Sequence, residues 1–137
     1  MSSPRNRRIG LGAAAAIIVI AICGVLGERT HEQHDLTNRA QAITGGSVER
    51  GKGLFAAYGC GGCHMVNGVP QAQGMVGPPL DTIAVRAMIG GRLANSPANL
   101  ERWIEDPQGV SPGTAMPRLG VTPAQSRDLA AFLYTQS

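Results

Sequence analysis

Hydrophobic and polar positions divide the chain into three stretches of different character. From Ile9 to Leu26 there are 18 residues without a charge, rich in Ala, Ile, Val and Gly. As a helix this run is about 27 Å long, close to the hydrocarbon thickness of a bilayer. Residues 28–46 are polar, with Glu28, Arg29, Glu32, Asp35 and Arg39 leading to Thr44-Gly45-Gly46. If flexible, such a connector spans roughly 25 Å root-mean-square. From residue 47 onward, apolar residues recur at helical spacing between Gly/Pro-rich loops. Three domains are therefore expected: 1–27 as anchor or uncleaved signal, 28–46 as polar linker, and 47–137 as a folded domain.

Start and stop signals place the helices of the third stretch. Ser47 caps one that runs to about Tyr58, with Glu49 in its first turn and Gly59 ending it. A short helix is expected over Asp81–Ile89, stopped by Gly90-Gly91. Ser96-Pro97 reads as cap and first helical residue of a helix to Glu105, which Pro107 stops. Thr122-Pro123-Ala124-Gln125 combines a cap, a proline at the first helical position and a capping-box Gln, opening a terminal helix to about Tyr134. No convincing strand intervenes, so the domain is expected to be all-α. Phe55, Tyr58, Phe132 and Tyr134 are the only aromatics besides Trp103. That is thin for an independent core of this length.

The chemistry concentrates in Cys60-Gly61-Gly62-Cys63-His64, which reads C-x-x-C-H, the attachment pattern of a c-type haem. Two thiols can add to two vinyl groups as thioethers, and the adjacent histidine can ligate the iron from one face. Glycines between the cysteines let the backbone lie close to the porphyrin. A zinc site would need a second ligand pair, and only Cys23, His31 and His34 remain. A redox dithiol would be expected beside a βαβ pattern, which is absent. A covalent haem also supplies the apolar mass that the core lacks, so the haem-free chain is expected to be largely unfolded.

Met116 is the candidate sixth ligand, in a loop delimited by Pro112, Gly113 and Pro117. A thioether favours ferrous iron, so His/Met ligation raises the reduction potential and closes both axial positions. Met65 adjoins His64 and cannot reach the other face, while Met75 and Met88 lack a rigid loop. Arg92 and Arg86 are candidates to neutralise haem propionates, with a solvated arginine as the equal alternative. Trp103 can donate its indole N–H to a propionate, although a core role is the more ordinary one.

On these residues, 47–137 resembles a class I cytochrome c domain. Gly77-Pro78-Pro79-Leu80 is similar to that family's G-P-x-L segment, which implies that the Pro78 carbonyl orients His64. Gly51 and Phe55, with Leu129 and Phe132, resemble the family's two closely crossing helices. The runs Gly91–Pro97, Asn99-Leu100, Trp103-Ile104 and Asp106-Pro107-Gln108 resemble the cytochrome c domain fused to subunit II of some haem–copper oxidases. The cupredoxin domain and copper ligands of that fusion are lacking here, so the oxidase role is not carried over.

Charge settles topology. The 12 Lys+Arg exceed the 9 Asp+Glu by three, the number of arginines at 5, 7 and 8. The rest balances, so the basic pI speaks for membrane orientation and no nucleic-acid partner is expected. Arg5, Arg7 and Arg8 keep the N-terminus cytoplasmic and export the remainder. A cleaved signal ending near Val25 and Gly27 competes with a retained anchor, and a lipoprotein signal at Cys23 is disfavoured by bulky Ile22. His31 and His34, three residues apart, are read as a solvated juxtamembrane pair.

The expected protein is a mono-haem carrier held in a bacterial inner membrane by residues 9–26, its haem domain in the periplasm. It would take electrons from a quinol-oxidising complex and pass them to a terminal oxidase. The alternatives are a fixed subunit of an oxidase or dehydrogenase complex, and a haem peroxidase or gas sensor in which Met116 dissociates.

Overall fold

A computed structural model of the chain describes residues 4–137, with side chains from residue 16 onward. The chain divides into two units, Met1–Asp35 and Leu36–Ser137. The first holds most of helix α1 (Pro4–Thr44). The side chains of residues 4–15, Arg5, Arg7 and Arg8 among them, lie outside the described set. Among the described residues, no helix is long and apolar enough to cross a membrane. Those of the expected span that are described, including Ile17, Ile18, Val19, Ile20, Ile22, Val25 and Leu26, are all exposed.

The expected polar linker is helical through Thr44. Residues 28–44 continue α1, and Leu36, Ala40 and Thr44 fall four apart on one face that is half-buried to buried. The Thr44 hydroxyl donates to Ala40 O at 2.7 Å and accepts from Gly46 N at 3.1 Å, closing the helix end. The breaker is Gly45, whose φ of +68° reverses the chain. Gly46 then lies against the backbone of Arg127 so closely that a Cβ would sit 2.1 Å from its carbonyl oxygen.

The second unit is built on α2 (Val48–Ala57), α3 (Pro97–Glu105), the short α4 (Pro107–Val110) and α5 (Pro123–Leu133). Their starts follow the expected caps. Ser47 accepts from Arg50 N and Ser96 from Asn99 N, while Thr122 and Gln125 form a complete capping box. Helices α2 and α5 cross at Gly51, where an added Cβ would lie 1.9 Å from Asp128 O. Phe55 and Phe132 meet at that crossing with ring centroids 5.5 Å apart and tilted. Asp128 locks it: its carboxylate accepts from Ser47 N at 2.7 Å and from the Arg50 Nε and guanidinium amino group at 2.8 and 2.9 Å.

Two expectations change. The helix foreseen over Asp81–Ile89 is only a 3₁₀ turn at Ile83–Val85. After it, β1 (Met88–Ile89) pairs antiparallel with β2 (Leu93–Ala94), so the domain carries one small hairpin. Gly90 and Gly91 have φ of +54° and +67° and form the hairpin turn rather than a helix stop. Asn95 binds this region to the end of the chain. Its amide donates to Ile83 O and Arg86 O at 2.7 and 2.8 Å, and its oxygen accepts from the Tyr134 hydroxyl at 2.7 Å. Pro107 does end α3, but it also opens α4, which Asp106 caps.

Candidate functional site

A cavity of about 390 Å³ lies within the second unit, in the range of small-molecule and cofactor sites. Its apolar walls come from four elements: Phe55 of α2, Ile89 of β1, Leu100 and Ile104 of α3, and Leu129 and Leu133 of α5. Cys60, Cys63, His64 and Met116 all face into it. The cavity is what this short-cored chain arranges its buried residues around.

One wall is the C-x-x-C-H segment. Gly59, with φ +69°, turns the chain out of α2, and Cys60–Gly62 form a 3₁₀ turn. The amides of Cys63 and His64 donate to Cys60 O at 3.2 and 2.9 Å, so both thiols and the imidazole leave one tight bend. Residues 74–80 lie along it. Gly74 N donates to Gly61 O at 3.0 Å, Gly77 N to Cys63 O at 2.9 Å, and Leu80 N to Met65 O at 2.8 Å. His64 Nδ1 is 2.8 Å from Pro78 O. A carbonyl can only accept, so Nδ1 carries the proton and Nε2 keeps its lone pair for a metal. Gly77 makes this possible, because a Cβ there would sit 2.3 Å from His64 Cε1. Burial pushes the Cys60 thiol up from its ordinary value, as the apolar surroundings require.

Met116 enters the cavity from the loop between α4 and α5, beside Thr114, Ala115 and Pro117. Met88 also lines it, from β1; Met65 does not, nor does Met75, which is 85 % exposed. Trp103 lines the cavity and packs under Gly90, where a Cβ would come within 2.5 Å of the indole ring. The two arginines separate. Arg86 lines the cavity and donates to Pro79 O and, at 3.4 Å, to Thr82 Oγ1. Arg92 is exposed at the hairpin turn and does not line the cavity, because the two left-handed glycines carry it outward.

These residues fit a c-type haem: two thiols, a tautomer-fixed imidazole and a thioether share one apolar cavity. A zinc site has no such support, since among the described residues no three His, Cys, Asp or Glu side chains gather to hold a metal. The comparison with known families agrees, because the Cytochrome c family model matches residues 48–137. This chain belongs to the cytochrome c family. The family implies covalently bound haem c with its iron, and it suggests electron transfer.

Cytochrome c2 of Rhodomicrobium vannielii is 32 % identical over 110 residues, covering 71 % of this chain and 85 % of that protein. Cytochrome c oxidase subunit 2 of Alkalihalophilus pseudofirmus is 40 % identical over 70 residues, which is 51 % of this chain but 20 % of that protein. The subunit 2 of Bacillus sp. (strain PS3) is 33 % identical over 76 residues, 54 % and 21 % of the two chains. The chain thus spans about a fifth of the length of the oxidase subunits that it matches. No solved structure matches it.

Sequence reasoning missed the hairpin and a clamp on the Met116 loop by Gln108. The first had a signal: Gly-Gly flanked by Met88-Ile89 and Leu93 is a hairpin pattern. The second had only the Asp106-Pro107-Gln108 run as a signal, and that run does not say which groups of the nearby Met116 loop the amide reaches.

Proposed function

We propose that the protein is a membrane-anchored, periplasm-facing mono-haem cytochrome c that carries single electrons from a quinol-oxidising complex to a terminal oxidase. Cys60 and Cys63 would hold the haem as thioethers, and His64 and Met116 would ligate its iron. Haem c supplies one-electron iron chemistry when bound. Around it the chain keeps the imidazole proton on Nδ1, excludes water with apolar walls and holds both axial side chains, so valence can change with little rearrangement. The observation that carries this reading is the His64–Pro78 bond in the same cavity as Met116.

The anchor is supported by the charge-free run Ile9–Leu26, preceded by three arginines, and by the exposure of its described aliphatic residues. Docking is read as apolar. Val76, Met88 and Leu119 line the cavity and remain exposed, and Met75, beside Val76 in sequence, is exposed as well. Partner association is then expected to vary little with ionic strength.

The first test is an oxidised-minus-reduced spectrum of the matured protein before and after acid–acetone extraction. A c-type spectrum that survives extraction, with a ferric sulfur-to-iron charge-transfer band, supports the reading. Haem that extracts away sinks it. Similarity to oxidase subunits favours a second reading, a fixed subunit of a larger complex. Copurification with an oxidase in mild detergent would select it over a free shuttle.

A further inference from the structure

We propose that Gln108 is the positioning residue of the distal side, holding the Met116 loop so that the thioether stays on the iron. The inference rests on the reading of Met116 as distal ligand. Its side-chain amide spans the loop. Nε2 donates to Thr114 O at 2.7 Å and to Met116 O at 2.8 Å, and Oε1 accepts from Gly113 N at 3.2 Å. The partners fix the amide's orientation, since two carbonyls demand donors and one N–H demands an acceptor.

The platform is itself held in place. Gln108 sits in α4, whose Pro107 is buried and whose N-cap Asp106 accepts from Gly109 N at 2.8 Å. Among the described residues, loop 113–118 has few other ties. Thr114 N donates to Ser111 O at 3.1 Å, and Arg118 pairs with Asp106. That pair is largely exposed on both partners and contributes little. Pro112 and Pro117 restrict their own φ but leave residues 114–116 to be fixed from outside. Gln108 is the side chain that fixes them.

A thioether on haem iron is in equilibrium with a released state, and an external ligand binds only the released state. Its apparent affinity therefore rises in proportion to that population. Losing two neutral hydrogen bonds should raise the population about tenfold or more.

The test uses the full-length holoprotein, with imidazole as the probe of the ferric form. Wild type, Gln108→Ala, Gln108→Glu and Asp128→Asn are compared for imidazole affinity, charge-transfer band, covalent haem content and Tm. Gln108→Glu keeps the volume and the acceptor for Gly113 N but loses both donations. Both Gln108 variants are expected to bind imidazole about tenfold tighter or more, with a weakened band and unchanged haem content. Asp128→Asn, which unlocks the α2–α5 crossing and bonds only Ser47 and Arg50, is expected to lower Tm without moving imidazole affinity. The proposal falls if the Gln108 variants bind imidazole as wild type does. It also falls if Asp128→Asn tightens imidazole equally, for the effect is then general destabilisation. A wild-type protein without the sulfur–iron band removes the Met116 reading itself, and this inference with it.

Discussion

The two sides of the cavity are held by different means. On the proximal side, cysteines and histidine lie within five consecutive residues, and the bend that presents them is closed by bonds within that segment. Its outside support, the Pro78 carbonyl, the gap left by Gly77 and the amides of Gly74 and Gly77, lies in one short run. On the distal side, Met116 stands in an irregular loop whose position depends on the side-chain amide of Gln108. A ligand built into a local turn is displaced only by breaking covalent or backbone geometry. One held by a few neutral side-chain bonds can be released at a cost of a few kcal/mol. On the proposed reading, ligand access is therefore set on the distal side.

The largest expected effect removes the proximal attachment altogether. Cys60→Ala with Cys63→Ala should lose haem to acid–acetone and, with it, the cooperative thermal melt followed by circular dichroism. A sharp melt in that haem-free variant would show that the polypeptide core suffices alone. Next, Met116→Ala should lower the reduction potential by on the order of 100 mV, a fraction of the range over which axial ligands act. Covalent haem content should stay unchanged.

Gly77→Ala is the proximal counterpart and should act with the opposite sign. Its Cβ pushes on the His64 ring, weakening the Pro78 bond that makes the imidazole a more basic ligand. The potential should rise, and stability should fall by about 1–3 kcal/mol from overpacking. Redox titration beside a guanidinium melt reads both. A potential that moves the same way in both variants would break the comparison.

A smaller effect lies away from the haem. The Arg50 guanidinium beside Asp128 holds that carboxyl below the usual aspartate range, with Ser47 N also contributing. A depressed carboxyl stabilises the fold fully above its unfolded pKa, and that stability is lost as pH falls through the lower folded value. Asp106 behaves likewise beside Arg118. Glu101 is shifted the other way, because burial raises it, so protonating it relieves the fold. Holoprotein Tm should therefore drop below about pH 4, and Asp128→Asn should flatten that limb. The same variant should lose about 1–3 kcal/mol at neutral pH through unpaired partners. An unchanged acid limb would remove Asp128 as the lock.

Much of the fold was legible because its signals are local. Caps at Ser47, Ser96 and Thr122 predicted helix starts that the structure reproduces, since a cap acts within three residues. Where a signal was ambiguous, tertiary context decided. Gly90-Gly91 reads equally as a helix stop or a hairpin turn, and the pairing of Met88 with Ala94 chose the turn. Residues 28–46 read as a polar linker from their charge, and 28–44 continue α1. Yet Leu36, Ala40 and Thr44 give that helix a face that folds with the second unit. In the site, Arg86 and Arg92 were indistinguishable by residue type, and only the path of the hairpin separates them.

By itself, the sequence determined the C-x-x-C-H segment with its adjacent histidine and the capped starts of three helices. Thioether attachment and capping depend on residues a few positions apart, and that spacing survives any fold. Only the tertiary structure decided which arginine lines the cavity, how closely α2 and α5 approach at Gly51, and that Gln108 reaches the Met116 carbonyl. Each of these joins groups through space and not along the chain, so its strength depends on distances that packing alone sets.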